Sequence, residues 1–495
     1  MSEPRYLLTA IARACVARGI STYQFDYPGQ ADSIATGHAS SFAGYLSAAN
    51  GVCDLARASG AASLAVIGYG LGNRVAASLL QRDDIVSCAL IFPRLLACGA
   101  AIHDSRAVCD ERWYYPQVAD SGRDIGLIWE ALVGEKIVPS QCPAPLPRHI
   151  VGQAMGLDVA AAAARFRDRV LVVSDDRRDD VGGAFSAVCH EPSPERPSWH
   201  WAADKRAEVV DRAVEWISAV PPEHRPGAGS AQALSRSACG RRLVDVSTAE
   251  GPMLGVLQEP SVPSARRVCV VYEPGIPGQR VDVHGCGGRL AERLARSGIF
   301  SFRYDGRGCG LSDGGFERVT WSRRIAEHER VLDFLREEFR IHEFVVVGNS
   351  AGARLAVTSA GRRDDVTGVV LWGPIFIEPS QRTGRGRVVR HGSGLLVTEY
   401  CGLWLGIEYN LDERRHDFLG AFQRLTKPGL IIFGDAEQNQ ENERTVRRAC
   451  DAMTGMKVET ASGDHGFSPV AVERVLDRTV DWIQELAHGG GNPAH

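Results

Sequence analysis

The sequence predicts an α/β fold used twice in tandem: two domains, each a mostly parallel sheet flanked by helices, the first truncated at its front. Three observations predict it. Short β-branched runs alternate with helical stretches in both halves of the chain. Landmarks of the first half return in the same order about 280 positions later. The composition, 44% hydrophobic and 23% charged over 495 residues, suits a globular chain of two or three domains.

In the first half, residues 5–18 read as a helix and Ile20-Ser21-Thr22-Tyr23-Gln24-Phe25 as a strand. A turn rich in Gly, Pro and Asp follows, from Phe25 to Ser33. A helix near 38–59 leads to the strand Ser63–Ile67 and then to Gly68-Tyr69-Gly70-Leu71-Gly72. Further strands are expected from Val86 to Phe92 and from Arg169 to Val173. The half closes with Trp199-His200-Trp201 and a helix around 209–217. From Pro221 to Ser237 the composition shifts to Pro, Gly, Ala and Ser, the mark of a flexible linker. The expected division is therefore 1–220, a linker at 221–238, a second domain at 239–487 and a flexible tail at 488–495.

The second half is longer at its front, with strand-like runs at Arg242–Val246, Met253–Leu257 and Val268–Tyr272. After them the two halves run in step. Tyr304-Asp305-Gly306-Arg307-Gly308-Cys309-Gly310-Leu311-Ser312 answers the turn at Phe25. Ser350 answers Gly70, and the helix at 475–483 answers that at 209–217. The run Gly285-Cys286-Gly287-Gly288 does not fit a dinucleotide-binding G-x-G-x-x-G after a strand and reads as a loop.

The most informative stretch is Val345-Val346-Val347-Gly348-Asn349-Ser350-Ala351-Gly352-Ala353. A buried strand runs through G-x-S-x-G into a helix, which sets Ser350 on a strained strand-to-helix turn with its hydroxyl exposed. The flanking glycines are needed because a Cβ would collide with neighbouring strand and helix.

The order of parts resembles the α/β-hydrolase superfamily. The matching residues are the Tyr304-Asp305-x-x-Gly308-x-Gly310-x-Ser312 turn, the Gly348-x-Ser350-x-Gly352 elbow, an acid after the next-but-one strand and a late histidine. Within it, Glu273-Pro274-Gly275-Ile276-Pro277-Gly278 ahead of Leu290-Ala291-Glu292-Arg293-Leu294 is similar to the serine-aminopeptidase-type and exosortase-associated branch. The resemblance covers about 240–487 well and 1–220 more weakly. It implies the chain order Ser350, acid, His465. Two carboxylates compete for the acid, Glu437 and Asp435, with Glu437 three places after Gly434 favoured. His391 and His416 fall in the variable insertion. The resemblance further implies oxyanion donors at the N–H groups of Ala351 and Ile276. The chain departs from the family at Pro274, which stands where a histidine is usual, and Pro277 stiffens the same loop.

The first half lacks this chemistry. Gly70 stands at the nucleophile position and Arg177 at the acid position, and no front strands carry a second donor. His200 between two tryptophans reads as a packing residue. This half is expected to be a degenerate, structural copy. The stretch between Trp372 and Gly429, near 375–428, is where relatives carry a cap. It holds apolar and aromatic residues, suited to a lipophilic acyl pocket, and Arg382, Arg385, Arg387 and Arg390. Those arginines read as a solvated run or as contacts to a carrier-bound substrate.

Several classes are excluded or disfavoured. A net charge of −4 argues against nucleic acid as a partner. Thirteen cysteines with no C-x-x-C, and no H-E-x-x-H, point to no metal and no redox cofactor. Nothing is apolar enough to span a membrane, and Arg13 and Arg18 interrupt the first apolar run, arguing against a secretory signal. A cytoplasmic protein acting on a small acyl substrate is expected, and a homo-oligomer is compatible with the sequence. Three functions remain: a serine hydrolase of an ester or thioester, an acyltransferase or acyl-eliminating enzyme on the same fold, or a non-catalytic scaffold.

Overall fold

The computed structural model describes residues 3–91 apart from 30–31, 34–40 and 71; short strands at 137–138, 146–147 and 185–187; residues 158–174 and 203–219; and residues 240–489 apart from 264–266, 283–284, 378–387, 401–402, 438, 464 and 468. The expected linker, Arg177, the Trp199-His200-Trp201 run and the arginines at 382, 385 and 387 lie outside the described residues. The chain divides into two compact units, Glu3–Gln232 and Ala233–His495.

The first unit runs α1 (Glu3–Val16), α2 (Phe42–Ala58), β1 (Leu64–Tyr69), α3 (Gly72–Leu79), β2 (Ile85–Ile91), α4 (Val159–Arg165), β3 (Val170–Ser174), β4 (Phe185–Ala187) and α5 (Ala203–Ser218). Its described sheet is parallel, in the order β1-β2-β3-β4. Both faces are covered. Val75, Leu79 and Leu90 pack with Tyr45 of α2 on one side, while Ile91 and Val173 meet Leu7, Ile11, Val209 and Ala213 on the other. Ser41 caps α2 by accepting the Gly44 N–H at 2.9 Å.

The second unit runs β5 (Arg241–Val246), β6 (Met253–Gln258), β7 (Val268–Glu273), α6 (Cys286–Arg296), β8 (Phe300–Tyr304), α7 (Trp321–Phe339), β9 (Glu343–Asn349), α8 (Ala353–Arg362) and β10 (Val366–Trp372). An insertion follows with β11 (Val389–Arg390), β12 (Leu396–Tyr400), β13 (Leu403–Gly406), α9 (Glu408–Glu413) and α10 (Phe418–Gln423). The chain then completes β14 (Gly429–Gly434), α11 (Gln440–Cys450), β15 (Met456–Ala461) and α12 (Pro469–Gly489), so the last helix runs past the expected tail boundary. The main sheet has the order β15-β14-β10-β9-β7-β8-β6-β5, parallel except at β6 and β5. Alternation along β9 builds two cores. Phe344 and Val346 join Leu355 and Ala356 of α8, while Val345 and Val347 join Leu290 and Leu294 of α6 and Val475 and Leu476 of α12.

The described strands of the first unit match one half of the second unit's sheet in order. β1, β2, β3 and β4 answer β9, β10, β14 and β15, with α3 answering α8. The aspartate turn repeats down to one bond. Leu311 N–H donates to Asp305 at 2.9 Å, and Asp32 N–H donates to Asp26 at 3.2 Å.

Two expectations are corrected. Residues 20–25 form no strand; Tyr23 and Phe25 are exposed instead. Their counterpart β8 pairs with β7 and β6 and never touches β9. Among the described residues the first unit has no counterpart of β7, so a segment at this position finds no ladder there to join. The Gly285–Gly288 run is no loop: Gly285, at φ 67°, is the N-cap of α6, and Cys286, Gly287 and Gly288 form its first turn. A Cβ on Gly287 would lie 2.2 Å from the Arg280 carbonyl, so close packing here outweighs the poor helix propensity of glycine.

Candidate active site

The elbow is built by steric exclusion. A Cβ on Gly348 would stand 2.6 Å from Cα of Ala353, and one on Gly352 would stand 2.2 Å from the Glu273 carbonyl on β7. Only glycine lets β9, α8 and β7 approach this closely. Between them Ser350 takes φ 55°, a left-handed conformation that costs a side-chain-bearing residue about 1 kcal/mol. In the first unit Gly70 takes φ 54°, and a Cβ on Gly68 would again meet the following helix at 2.6 Å. Among the described residues, a Cβ on Gly72 would have only the Tyr27 hydroxyl within 4 Å, at 3.7 Å.

Ser350, Glu437 and His465 follow β9, β14 and β15, all parallel strands, so they gather at the carboxyl end of one sheet. His465 Nδ1 lies 2.9 Å from Glu437 Oε2, and the Glu437 side chain is 3% exposed. With Nδ1–H donating to that carboxylate, Nε2 carries a free lone pair. Nε2 is buried and has no hydrogen-bond partner among the described residues, Ser350 Oγ included. Asp435 is engaged elsewhere: it accepts the Gly463 N–H at 2.9 Å, and its own N–H donates to Ala461.

The loop after β7 lies against the serine. A Cβ on Gly275 would be 3.1 Å from Ser350 Cβ and 3.4 Å from its Oγ. Ile276 N–H finds no acceptor among the described residues. Ala351 is buried in the single 3-10 turn that opens α8.

Sequence reading missed several supports of the site. Gly373, at φ 48°, leaves room for the imidazole: a Cβ there would be 3.0 Å from His465 Nδ1. Arg354, fully buried, donates to Ile375 O at 2.8 Å and to Glu413 at 2.7 Å, with Trp321 under its guanidinium at 4.6 Å. It ties the serine helix to the insertion. Asn442 accepts the N–H groups of Phe376 and Ile377 and donates to Pro374 O, fixing the same segment. An arginine two places after the elbow was the signal available for the first. Behind the elbow, Asn349 and Tyr272 both donate to Asp282, at 2.9 and 2.6 Å.

A second polar group lies behind the β7 loop. His328 and Glu273 pair at 2.6 Å, both nearly fully buried. Burial, and then the charge of Glu273, hold the Tyr304 phenol well above its ordinary range. Burial pushes the Glu327 carboxyl up to about 7. The two histidines of the insertion serve local structure: His391 bonds Ser393 in a turn, and His416 joins Ser322 and Asp412 at the start of α7. Arg390 donates to Gly394 O within a turn. Among the described residues no cluster of His, Cys, Asp or Glu could hold a metal, and no helix is long and apolar enough to cross a membrane.

Residues 281–396 match the family model described as serine aminopeptidase, S33. That segment spans β8, the elbow and β10, the parts just described.

The second unit has the α/β-hydrolase fold.

Solved structures similar to the chain include Est1E from Butyrivibrio proteoclasticus with ferulic acid bound, 18% identical over 50% of this chain and 99% of that one, with a TM-score of 0.44. An esterase from Pyrococcus furiosus is 16% identical over 50% of this chain and 92% of that one, with a TM-score of 0.38. A serine hydrolase homologue from Coxiella burnetii is 14% identical over 48% and 96%, with a TM-score of 0.36. No curated protein matches the chain by sequence. The second unit, Ala233–His495, accounts for about half of the chain.

Proposed function

We propose that the hydrolase unit is a serine-dependent acyl hydrolase that cleaves an ester or thioester through an acyl-enzyme. The observation that carries this reading is the Glu437–His465 pair at 2.9 Å, at the same carboxyl end of the sheet as a serine held at φ 55° on a G-x-S-x-G elbow. His465 Nε2 takes the Ser350 proton as Oγ attacks the substrate carbonyl carbon. The oxygen of the tetrahedral adduct is met by the N–H groups of Ile276 and Ala351. Collapse expels the alkoxide or thiolate, which leaves with the proton held on His465. Water, deprotonated by the same Nε2, then attacks the acyl-serine and returns free Ser350 and the acid. Glu437 keeps the imidazole in the tautomer that both steps need and steadies the imidazolium between them.

The first unit is proposed as a non-catalytic copy. Gly70 offers no nucleophile, and among the described residues no counterpart of β7 brings a loop with a second oxyanion donor.

The test is intact-mass analysis of the full chain incubated with a panel of acyl esters and acyl thioesters. A mass increase of one acyl group, lost in Ser350→Ala, is the expected result. An increase that persists in Ser350→Ala would assign the acyl group to another residue and end the reading.

A further inference from the structure

The donor assigned to Ile276 belongs to the peptide unit joining Gly275 and Ile276, and glycine gives that unit little stiffness of its own. A side chain at 275 cannot supply it, because a Cβ would be 3.1 Å from Ser350 Cβ. The loop is held from outside instead. The carbonyl before the unit, Pro274 O, accepts from the guanidinium of Arg324 on α7 at 3.1 Å. The carbonyl after it, Ile276 O, accepts from the hydroxyl of Tyr400 at 3.3 Å. The carbonyl of the unit itself faces Gly278, where a Cβ would lie 2.2 Å from Gly275 O. A planar trans peptide points its N–H opposite to its C=O, so this contact directs the Ile276 N–H away from Gly278. Tyr400 ends β12, inside the insertion, and is the one of these contacts that comes from outside the main sheet and its helices.

We propose that Tyr400 is a positioning residue for the oxyanion site: its hydroxyl, donated by the insertion to Ile276 O, holds the Gly275–Ile276 peptide in register with Ser350. Through this bond the insertion takes part in the chemistry of the site. The inference rests on the acyl-transfer reading above, and the test separates the two.

The full-length chain is titrated with a fluorophosphonate, which phosphonylates Ser350 through a transition state whose phosphoryl oxygen occupies the oxyanion position. In Tyr400→Phe, which removes one oxygen and keeps the ring, the maximal rate of phosphonylation should fall about tenfold. That is less than the loss expected from deleting a donor itself, because the N–H remains. The concentration giving half that rate should not change. Affinity for a trifluoromethyl ketone, which forms a tetrahedral adduct on the serine, should weaken by a similar factor. Rates are expressed per labelled site, so a variant that folds poorly still reports. An unchanged maximal rate in Tyr400→Phe, or a raised half-saturating concentration at an unchanged maximal rate, would make Tyr400 a wall of the pocket and overturn the inference. Wild-type protein that takes no phosphonate at Ser350 would overturn the acyl-transfer reading, and this inference with it, before any variant is made.

Discussion

Glu437, and not Asp435 two residues earlier, carries the carboxylate that meets Nδ1 of His465, at 2.9 Å. The turn after β14 explains the choice. Asp435 closes it by accepting the Gly463 N–H, which turns its carboxylate toward the β15 loop, whereas Glu437 is buried beneath the imidazole. Glu437→Gln should therefore lower the rate by about two to four orders of magnitude, through the wrong imidazole tautomer. Asp435→Asn should cost far less, as a looser turn. Steady-state rates of the two variants check this, and a larger loss in Asp435→Asn would exchange their roles.

Ser350→Ala should leave the fold intact and lower acyl transfer by about four to six orders of magnitude. The side chain is only partly buried and packs little, so the thermal midpoint should stay near that of the wild type. Wild-type turnover in this variant would remove the serine from the mechanism.

Gly373→Ala tests the space beneath the histidine. The new Cβ would stand 3.0 Å from His465 Nδ1 on a residue at φ 48°. Strain of about 1 kcal/mol is expected, together with a displaced imidazole and a rate loss near 100-fold. A loss of stability with full activity would show that the ring can shift without harm.

The pH dependence of stability should carry the mark of Glu327. Its carboxyl is pushed from 4.5 up to about 7, by burial first. A folded pKa above the unfolded one means that the neutral acid is favoured in the native state. This contribution is fully present below about 4.5 and is lost as pH rises through about 7. Glu327→Gln should flatten the thermal midpoint between about pH 4.5 and 7. An unchanged slope would assign the dependence to other groups.

Gly70→Ser should give no labelling of the first unit by a fluorophosphonate. The turn already has the right backbone, φ 54°, but among the described residues the unit shows no counterpart of the β7 loop. Labelling at that position, read by peptide mass, would mean that the first unit retains a working site.

Much of this was legible in the sequence because it depends on local rules. The β-branched run of β9, the glycines at 348 and 352 and the repeat of the aspartate turn are each written in adjacent residues. What was not legible depends on partners far away in the chain. Residues 20–25 have the pattern of a strand, yet a strand exists only where another offers its hydrogen bonds. Gly285–Gly288 has the propensity of a loop, and packing against the Arg280 turn makes it a helix start. Arg354 stands in an apolar helix, and nothing near it in sequence announces Glu413 or the carbonyls of Ile375 and Phe376. Tyr400 looked like one aromatic residue among several in the insertion.

The matched left-handed turns at Ser350 and Gly70 carry one more consequence. The crossover from strand to helix demands a positive φ whatever residue stands there, so the turn belongs to the topology and the serine is an added burden on it. Glycine is the relaxed solution, and the first unit has it. On the proposed mechanism Ser350→Gly should yield an inactive protein that melts at a higher temperature than the wild type, which would make the serine a site of selected instability.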